Sequence, residues 1–586
     1  MLKENEFNAL KVFFYREATK QRDLANLLSI SLGTANSLVK SLKEKQLIRN
    51  NAITEKGVEA LQPYKVKNAV IMAAGMSTRF IPLSFERPKG LMVVRGEVLV
   101  ERQIEQLKQA GINDITVIVG YMKEAFFYLE EKYNVKIVVN SQFATRNNHS
   151  SLYLVREQLD NTYICSSDDY FTENVFEQFV YKAYYACNYF AGKTDEYCVK
   201  TAASSKRITS IVVGGANSYG MIGHVYFDKK FSLKMSDILF SSYDYPDTPG
   251  KLWEDLYIDN IKELDMDIRA YEDGVIFEFD SIKDLKNFDE AFIDNIDSEI
   301  FDNICEVLDC KRGDVSHVEP LKGGLTNYSF TFSLRATKYV YRHPGPGTEK
   351  IIDRKSEVAS QKIAKDLGID STYIFQDEEK GWKISLYVEG CTELDYHNAH
   401  QVNLAFAQLK KLHTSGKKSQ WSFDLMQKAS ETLALLRDMN YPEFEGLEHV
   451  EKMAHQAIDY AKNSGRICLC HNDFYSPNIL IKDDMATLID WEYSAMGDYA
   501  SDIGVFICCS DYTEDQADEI FDVYFGRQAT QEEYMHCVAY VGIAAYYWVT
   551  WALYKQATGD PADEWLYLWY KCAKKYLRKA IDLYED

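Results

Sequence analysis

The sequence predicts a multidomain chain: a small basic helical block, then a Rossmann-like α/β unit, then a two-lobed α+β unit. Three observations carry that prediction. Residues 1–65 hold eleven Lys and Arg against seven Asp and Glu, in a chain whose net charge is -22. From Val66 onward, short apolar strand-like runs alternate with helical periodicity. Beyond Ser298 come strand pairs and long apolar helices, and between them lie His471-Asn472-Asp473-Phe474-Tyr475-Ser476-Pro477-Asn478 and Ile489-Asp490-Trp491-Glu492. At 586 residues the chain is too long for one core,. The expected units are 1–65, 66–297 and 298–586.

In the first block, Gln21 to Leu28 reads as a helix, Ser29 to Ser31 as a turn, and Leu32 to Lys45 as a second helix with Ala35, Leu38, Val39 and Leu42 on one face. Leu47 to Ile53 predicts a hairpin, and Thr54 caps a further helix opening with Glu55-Lys56-Gly57. Helix, turn, helix and hairpin together resemble the winged-helix domains of MarR-type regulators. That resemblance implies DNA as a partner, met by Ser31, Thr34, Asn36, Ser37 and Lys40. A solvated helix face or a protein-docking module fits the same residues.

In the second block the run Asn68 to Met72 ends at Ala73-Ala74-Gly75-Met76-Ser77-Thr78-Arg79. A strand entering a small-residue loop brings backbone N–H groups up to phosphates. Pro88-Lys89, a helix over Val100 to Ala110, and strands over Ile115 to Val119 and Lys136 to Val139 continue the βαβ rhythm. G-x-G-x-x-G is absent. The order Gly75, Arg79, Lys89 resembles the sugar-1-phosphate-type nucleotidyltransferases, with Ser77 where glycine is common. A nearer likeness is to bacterial CTP:phosphocholine cytidylyltransferases, through Asn147 to Tyr153, Ser167-Asp168-Asp169-Tyr170, Asn260 to Asp265 and Glu278-Phe279-Asp280-Ser281. Joining two polyanions requires a metal and fixed cations. The resemblance implies that Gly75, Arg79 and Lys89 place CTP, and that Asp168 and Asp280, each closing an apolar run, hold Mg2+. Trp253 and Glu254 are the candidate cradle for a trimethylammonium group.

In the third block, H-x-D-x4-N followed by an acid twelve residues after Asn478 is the spacing of a phosphoryl-transfer loop. Asp473 is the expected base, with Asn478 and Asp490 the metal ligands, and the apolar runs between them predict a β-hairpin. Leu321-Lys322-Gly323-Gly324-Leu325-Thr326-Asn327 reads as a turn over ATP phosphates, with Gly323, Gly324, Thr326 and Asn327 in contact. Tyr339 to Arg342 reads as a strand presenting Arg342, with Glu357 its ion-pair partner. Ser385 to Glu389 is the expected hinge between lobes. This protein-kinase-like block resembles the choline and ethanolamine kinase family, and aminoglycoside phosphotransferases share the loop spacing.

Trp548 and Trp551 are i, i+3 neighbours on a helix. A quaternary ammonium has no N–H to donate, so aromatic faces recognise it. With Trp491 and Tyr493 on the catalytic side, these residues form a candidate choline pocket; an aromatic stripe at this spacing is equally the mark of plain core. Cys537 to Tyr554 has no charge over eighteen residues, and its six scattered Tyr and Trp favour a buried helix over a membrane span,. Acidity excludes a general polyanion binder. Twelve scattered cysteines predict reduced thiols in the cytoplasm,.

Together the resemblances imply two Mg2+-dependent steps. Choline and ATP give phosphocholine, and phosphocholine with CTP gives CDP-choline, destined for surface polysaccharide or teichoic acid. Two alternatives stand beside this: an ethanolamine, other amino-alcohol or sugar kinase fused to a sugar-phosphate nucleotidyltransferase, and a choline-sensing transcriptional regulator.

Overall fold

The computed structural model describes residues 2–16, 20–203, 205–321, 327–345, 352–559 and 562–586. It divides into two compact units, Met1–Asp302 and Asn303–Asp586.

In the first unit, period-2 side-chain alternation builds two cores on one sheet. Ala69, Ile71 and Ala73 face one cluster with Val117 and Val119, while Val70 and Ile118 face the other. Seven strands run edge to edge as Asp267–Ala270, Tyr184–Thr201, Ile208–Phe227, Thr162–Ser166, Asn68–Ala73, Ile115–Val119 and Lys136–Val139. Asn68–Ala73 is parallel to both of its neighbours, whereas Ile208–Phe227 is antiparallel to Thr162–Ser166. The carboxyl ends of these three parallel strands therefore meet at one edge, where α/β sheets place their ligands,.

The N-terminal block contains helices Gln21–Leu27 and Leu32–Glu44, strands Ile48–Arg49 and Ala52–Ile53, and helix Glu55–Leu61. Helix Glu4–Tyr15 precedes them and was not expected. Instead of standing apart at residue 65, the block shares its core with Phe179. Phe14 packs edge-on to Phe179 at 4.9 Å, and Tyr64 stacks on Tyr181 at 5.5 Å. Lys11 pairs with Glu177 at 3.1 Å, and Glu177 also takes Arg269 at 3.1 Å.

The second unit opens with an antiparallel sheet ordered Val315–Leu321, Asn327–Leu334, Thr337–Pro344, Lys383–Leu386, Tyr373–Gln376, with helix Arg354–Asp366 beside it. A helical lobe follows, built around Gln531–Ala557. Among the described residues this is the one helix long and apolar enough to cross a membrane, yet 94% of its apolar window is buried. It is a core helix. Helix Tyr499–Cys508 crosses it closely, because a Cβ on Gly504 would lie 2.4 Å from the Tyr540 carbonyl oxygen.

His224 lies among the rings of Tyr163, Phe171, Phe176, Tyr184 and Tyr271, with Nε2 2.9 Å from the Tyr184 hydroxyl. Burial, then the Arg269 charge, lowers its pKa to about 3 from 6.5. The folded state therefore resists the proton that the unfolded chain accepts. The stability from neutral His224 is complete above pH 6.5 and is lost as pH falls toward 3, by about 1.4 kcal/mol per pH unit. His224→Phe is expected to flatten this acid limb in urea unfolding curves taken at stepped pH.

Candidate functional site

At the sheet edge of the first unit, strand Asn68–Ala73 delivers the loop of Gly75, and the neighbouring strand Thr162–Ser166 delivers Asp168. Ser77 is left-handed, φ +52° and ψ +53°, a backbone region that glycine enters without strain. Lys89 is buried and ion-paired with Asp168, and its Nζ is 3.9 Å from Asp280. Burial opposes charge on both partners, and the pairing prevails: Lys89 is held above its ordinary pKa and Asp168 below. Arg79 reaches Asp280 at 3.2 Å from the more exposed side. Carboxylate oxygens of Asp168, Glu278 and Asp280 lie within 4.8 Å of one another. An all-oxygen set of this kind suits a hard divalent cation. The adjoining cleft is about 240 Å³, and its wall includes Gly75, Ser77, Lys89, Asn148 and Asp168.

Trp253 departs from its expected place. It is 1% exposed, parallel to Tyr185 and edge-on to Phe227, so core packing occupies the ring rather than the cleft. Glu254 accepts from Asn148 Nδ2 at 3.1 Å and Tyr185 Oη at 3.3 Å. It therefore reaches the cleft wall through Asn148.

In the second unit, strand Ile467–Cys470 leads into His471-Asn472-Asp473, and Asn472 takes φ +61°. Buried Asp502 accepts from the backbone N–H of both His471 and Asn472, and His413 backs it at 2.8 Å. Asn472 donates to the Tyr493 carbonyl at 3.0 Å. The loop is thus pinned from behind while Asp473 faces a cavity of about 670 Å³. Asn478 Nδ2 donates to Asp473 Oδ2 at 2.7 Å. The hairpin Ile479–Lys482 and Met485–Leu488 returns the chain to Asp490. Arg342 pairs with Glu357, with Asp490 at 2.7 Å and with Glu492 at 3.1 Å. Arg354 bridges Glu357 at 3.2 Å and Glu492 at 3.1 Å, and Asn327 donates to Glu492 at 2.6 Å. Burial, then Asp490 and Glu492, holds Asp473 well above the usual carboxylate range. Gly323, Gly324 and Thr326 lie outside the described residues.

The far wall of the cavity is aromatic. Trp548 lies 5.4 Å from Trp551 and 5.5 Å from Trp569, with Trp565 also lining it. Tyr493 closes the catalytic side and accepts from Trp551 Nε1 at 3.0 Å. Trp491 does not line this wall: it is fully buried against His471 at 4.6 Å, and its Nε1 donates to Asp370 at 3.2 Å.

Residues 318–547 match the choline/ethanolamine kinase family, and residues 69–203 match the MobA-like NTP transferase domain. Choline-phosphate cytidylyltransferase of Streptococcus pneumoniae is 36% identical over 38% of this chain and 96% of its own length. The chain belongs to the choline-phosphate cytidylyltransferase family. 2-Aminoethylphosphonate cytidylyltransferase of Lancefieldella rimae is 34% identical over 39% of this chain and 93% of its own. The crystal structure of a choline kinase from Streptococcus pneumoniae is 25% identical, covering 48% of this chain and 98% of that one, with a TM-score of 0.42. This cytidylyltransferase-family chain is therefore an enzyme that also carries a kinase domain.

Sequence reasoning passed over Glu278, Glu492, Trp565, Trp569 and Asp502. Two of them had a signal, since Glu278 precedes Asp280 by two residues and Glu492 follows Asp490 by two. Trp565 and Trp569 are i, i+4 on helix Asp563–Glu585. Asp502 had none, as only the fold brings it behind the loop. Gly90 is a further case, because a Cβ there would sit 2.8 Å from Ser167 Cβ. Gly90→Ala must push the Lys89 turn off Asp168, and displacements near 1 Å cost up to about 100-fold in rate. Nucleotidyl transfer by the G90A variant is expected to fall tenfold or more in kcat/KM, with phosphoryl transfer by the same protein unchanged.

Proposed function

We propose that the two sites act in succession on one substrate, choline, and yield CDP-choline. The aromatic wall of Tyr493, Trp548, Trp551, Trp565 and Trp569 opposite Asp473 carries this reading. Trimethylammonium gains about 0.5 to 2 kcal/mol per aromatic face, whereas a primary ammonium asks for hydrogen-bond acceptors, which the four indole rings of the wall do not offer.

In the kinase, Asp473 orients the choline hydroxyl and takes its proton as the oxygen attacks the γ-phosphorus. The γ-to-β P–O bond breaks, and ADP leaves with that electron pair. Arg342, set by Glu357, steadies the phosphates together with Asn327. Asn478 and Asp490 would hold Mg2+, which when bound offsets the charge of the transferring phosphoryl group. In the cytidylyltransferase, a phosphocholine oxygen attacks the α-phosphorus of CTP and pyrophosphate departs. Arg79, Lys89 and the Gly75 loop place the triphosphate, while Asp168 and Asp280, joined by Glu278, would hold the second Mg2+. Glu254 is the acid available to the choline head group.

A phosphonate relative raises a second substrate class for the transferase. The attached kinase argues against it, because a phosphonate already carries its phosphorus on carbon and needs no phosphorylation. We assign the enzyme to the cytoplasm, where ATP and CTP are made. For the N-terminal block we propose a winged helix that binds DNA. Ser31 caps helix Leu32–Glu44 by accepting from Thr34 N at 3.1 Å, and the exposed Ser37 and Lys40 lie on its outer side.

Purified protein with choline, ATP, CTP and Mg2+ is expected to release CDP-choline and pyrophosphate, and to stop at phosphocholine when CTP is omitted. Absence of CDP-choline above a no-enzyme blank would sink the proposal. Trp548→Ala is expected to raise the choline KM about tenfold, the equivalent of one aromatic face, with a smaller change for ethanolamine. Binding of the block to DNA from its own operon should weaken steeply between 50 and 200 mM salt, on the order of the counterion effect; no binding at low salt would leave it a docking module.

A further inference from the structure

We propose that Lys383 is a second cation for the polyphosphate of ATP in the kinase site, beside Arg342. The inference rests on the phosphotransferase reading of that site and adds a nucleotide-binding residue to it.

Lys383 begins strand Lys383–Leu386, and its Cα partner across the antiparallel ladder is Arg342. On the far side of Arg342, the cross-strand partner is Ser329. Ser329, Arg342 and Lys383 form one row across the sheet, and all three line the 670 Å³ cavity that Asp473 and Asp490 face. Two like charges directly opposite one another on a sheet repel. Here both are also buried, Arg342 at 6% exposure and Lys383 at 7%.

The two cations differ in what surrounds them. Arg342 is engaged through both Nη atoms by Glu357, Asp490 and Glu492. The Lys383 ammonium has no hydrogen bond and no carboxylate oxygen within 4.0 Å among the described residues. Asp370, an acid in its neighbourhood, is already taken by Thr372, Gln361 and Trp491. Burial and the nearby Arg342 charge both disfavour the ammonium form, lowering its pKa. A buried, unpaired ammonium opposite a guanidinium is a costly arrangement, and a hydrophobic side chain of similar length would be easier to accommodate. The cost is recovered when an anion enters the cavity, and the polyphosphate of a nucleotide held between this sheet and the Asp473 loop is such an anion. The flexible stem suits contact with a phosphate as a point charge, while the Arg342 fork is shared with three carboxylates,.

The test uses the full-length chain and its Lys383→Met and Lys383→Arg variants. Calorimetric titration with ATP and with adenosine is read beside kinase kinetics on choline and thermal unfolding without nucleotide. For K383M we expect ATP binding weakened and the ATP KM raised tenfold or more. Adenosine binding and the choline KM should stay within twofold, and the nucleotide-free melting temperature should be equal or higher. K383R should recover part of the ATP affinity. Unchanged ATP binding in K383M would overturn the proposal, as would a lowered melting temperature with ATP, adenosine and choline all affected alike, which marks a structural lysine. If wild type binds ATP yet phosphorylates no amino alcohol, the kinase reading falls, while the K383M titration still decides the role of Lys383.

Discussion

Both sites depend on one constraint: several carboxylates must be gathered within a few ångströms, and each gathering is held together by a buried cation. Lys89 does this for Asp168 and Asp280, and Arg342 does it for Glu357, Asp490 and Glu492. The cation offsets part of the repulsion among the acids and lets them approach this closely. The supporting structure follows from this need. The Lys89 turn is pressed against Ser167, and helix Arg354–Asp366 stands where Glu357 can meet a strand residue.

Much of the fold and of the candidate sites was legible in the residues, and the reasons are local. A parallel strand buried on both faces reads as a continuous apolar run, so Asn68 to Ala73 announced itself. The hairpin between Asn478 and Asp490 was fixed by two apolar runs and a polar turn. What escaped was set by tertiary packing. Nothing in Trp253 or Trp491 tells a ring that lines a cleft from one that fills a core, because both kinds of site reward a large flat apolar surface. Asp502 lies about 30 residues beyond the loop it anchors, on a helix with no motif of its own. Helix Glu4–Tyr15 lacks a conventional capping residue. Its first turn is closed by Glu6 accepting from the Lys3 backbone N–H at 3.2 Å, and Glu6 is itself held by Lys45.

The two chemistries share a physical logic despite unrelated folds. In each, a buried cation, Lys89 from a short turn or Arg342 from a strand, meets acids brought in by other elements, and a left-handed residue shapes the adjoining loop. Ser77, Asn472 and Asp490 all take positive φ at these loops. Such conformations persist only when their surroundings hold them in place, and the hydrogen bonds that Asp502 and the Tyr493 carbonyl accept from His471 and Asn472 do so in the kinase.

The shared core between the N-terminal block and the α/β sheet bears on how this chain can be inherited. Phe179 and Tyr181 belong by sequence to the transferase, yet their rings complete the hydrophobic interior of the first sixty-odd residues, and Glu177 joins Lys11 to Arg269. A module joined only by a tether can be exchanged among genes without altering its host. One that borrows aromatic rings from its neighbour cannot, because removing the block would bare the rings of Phe179 and Tyr181 and leave its own interior incomplete.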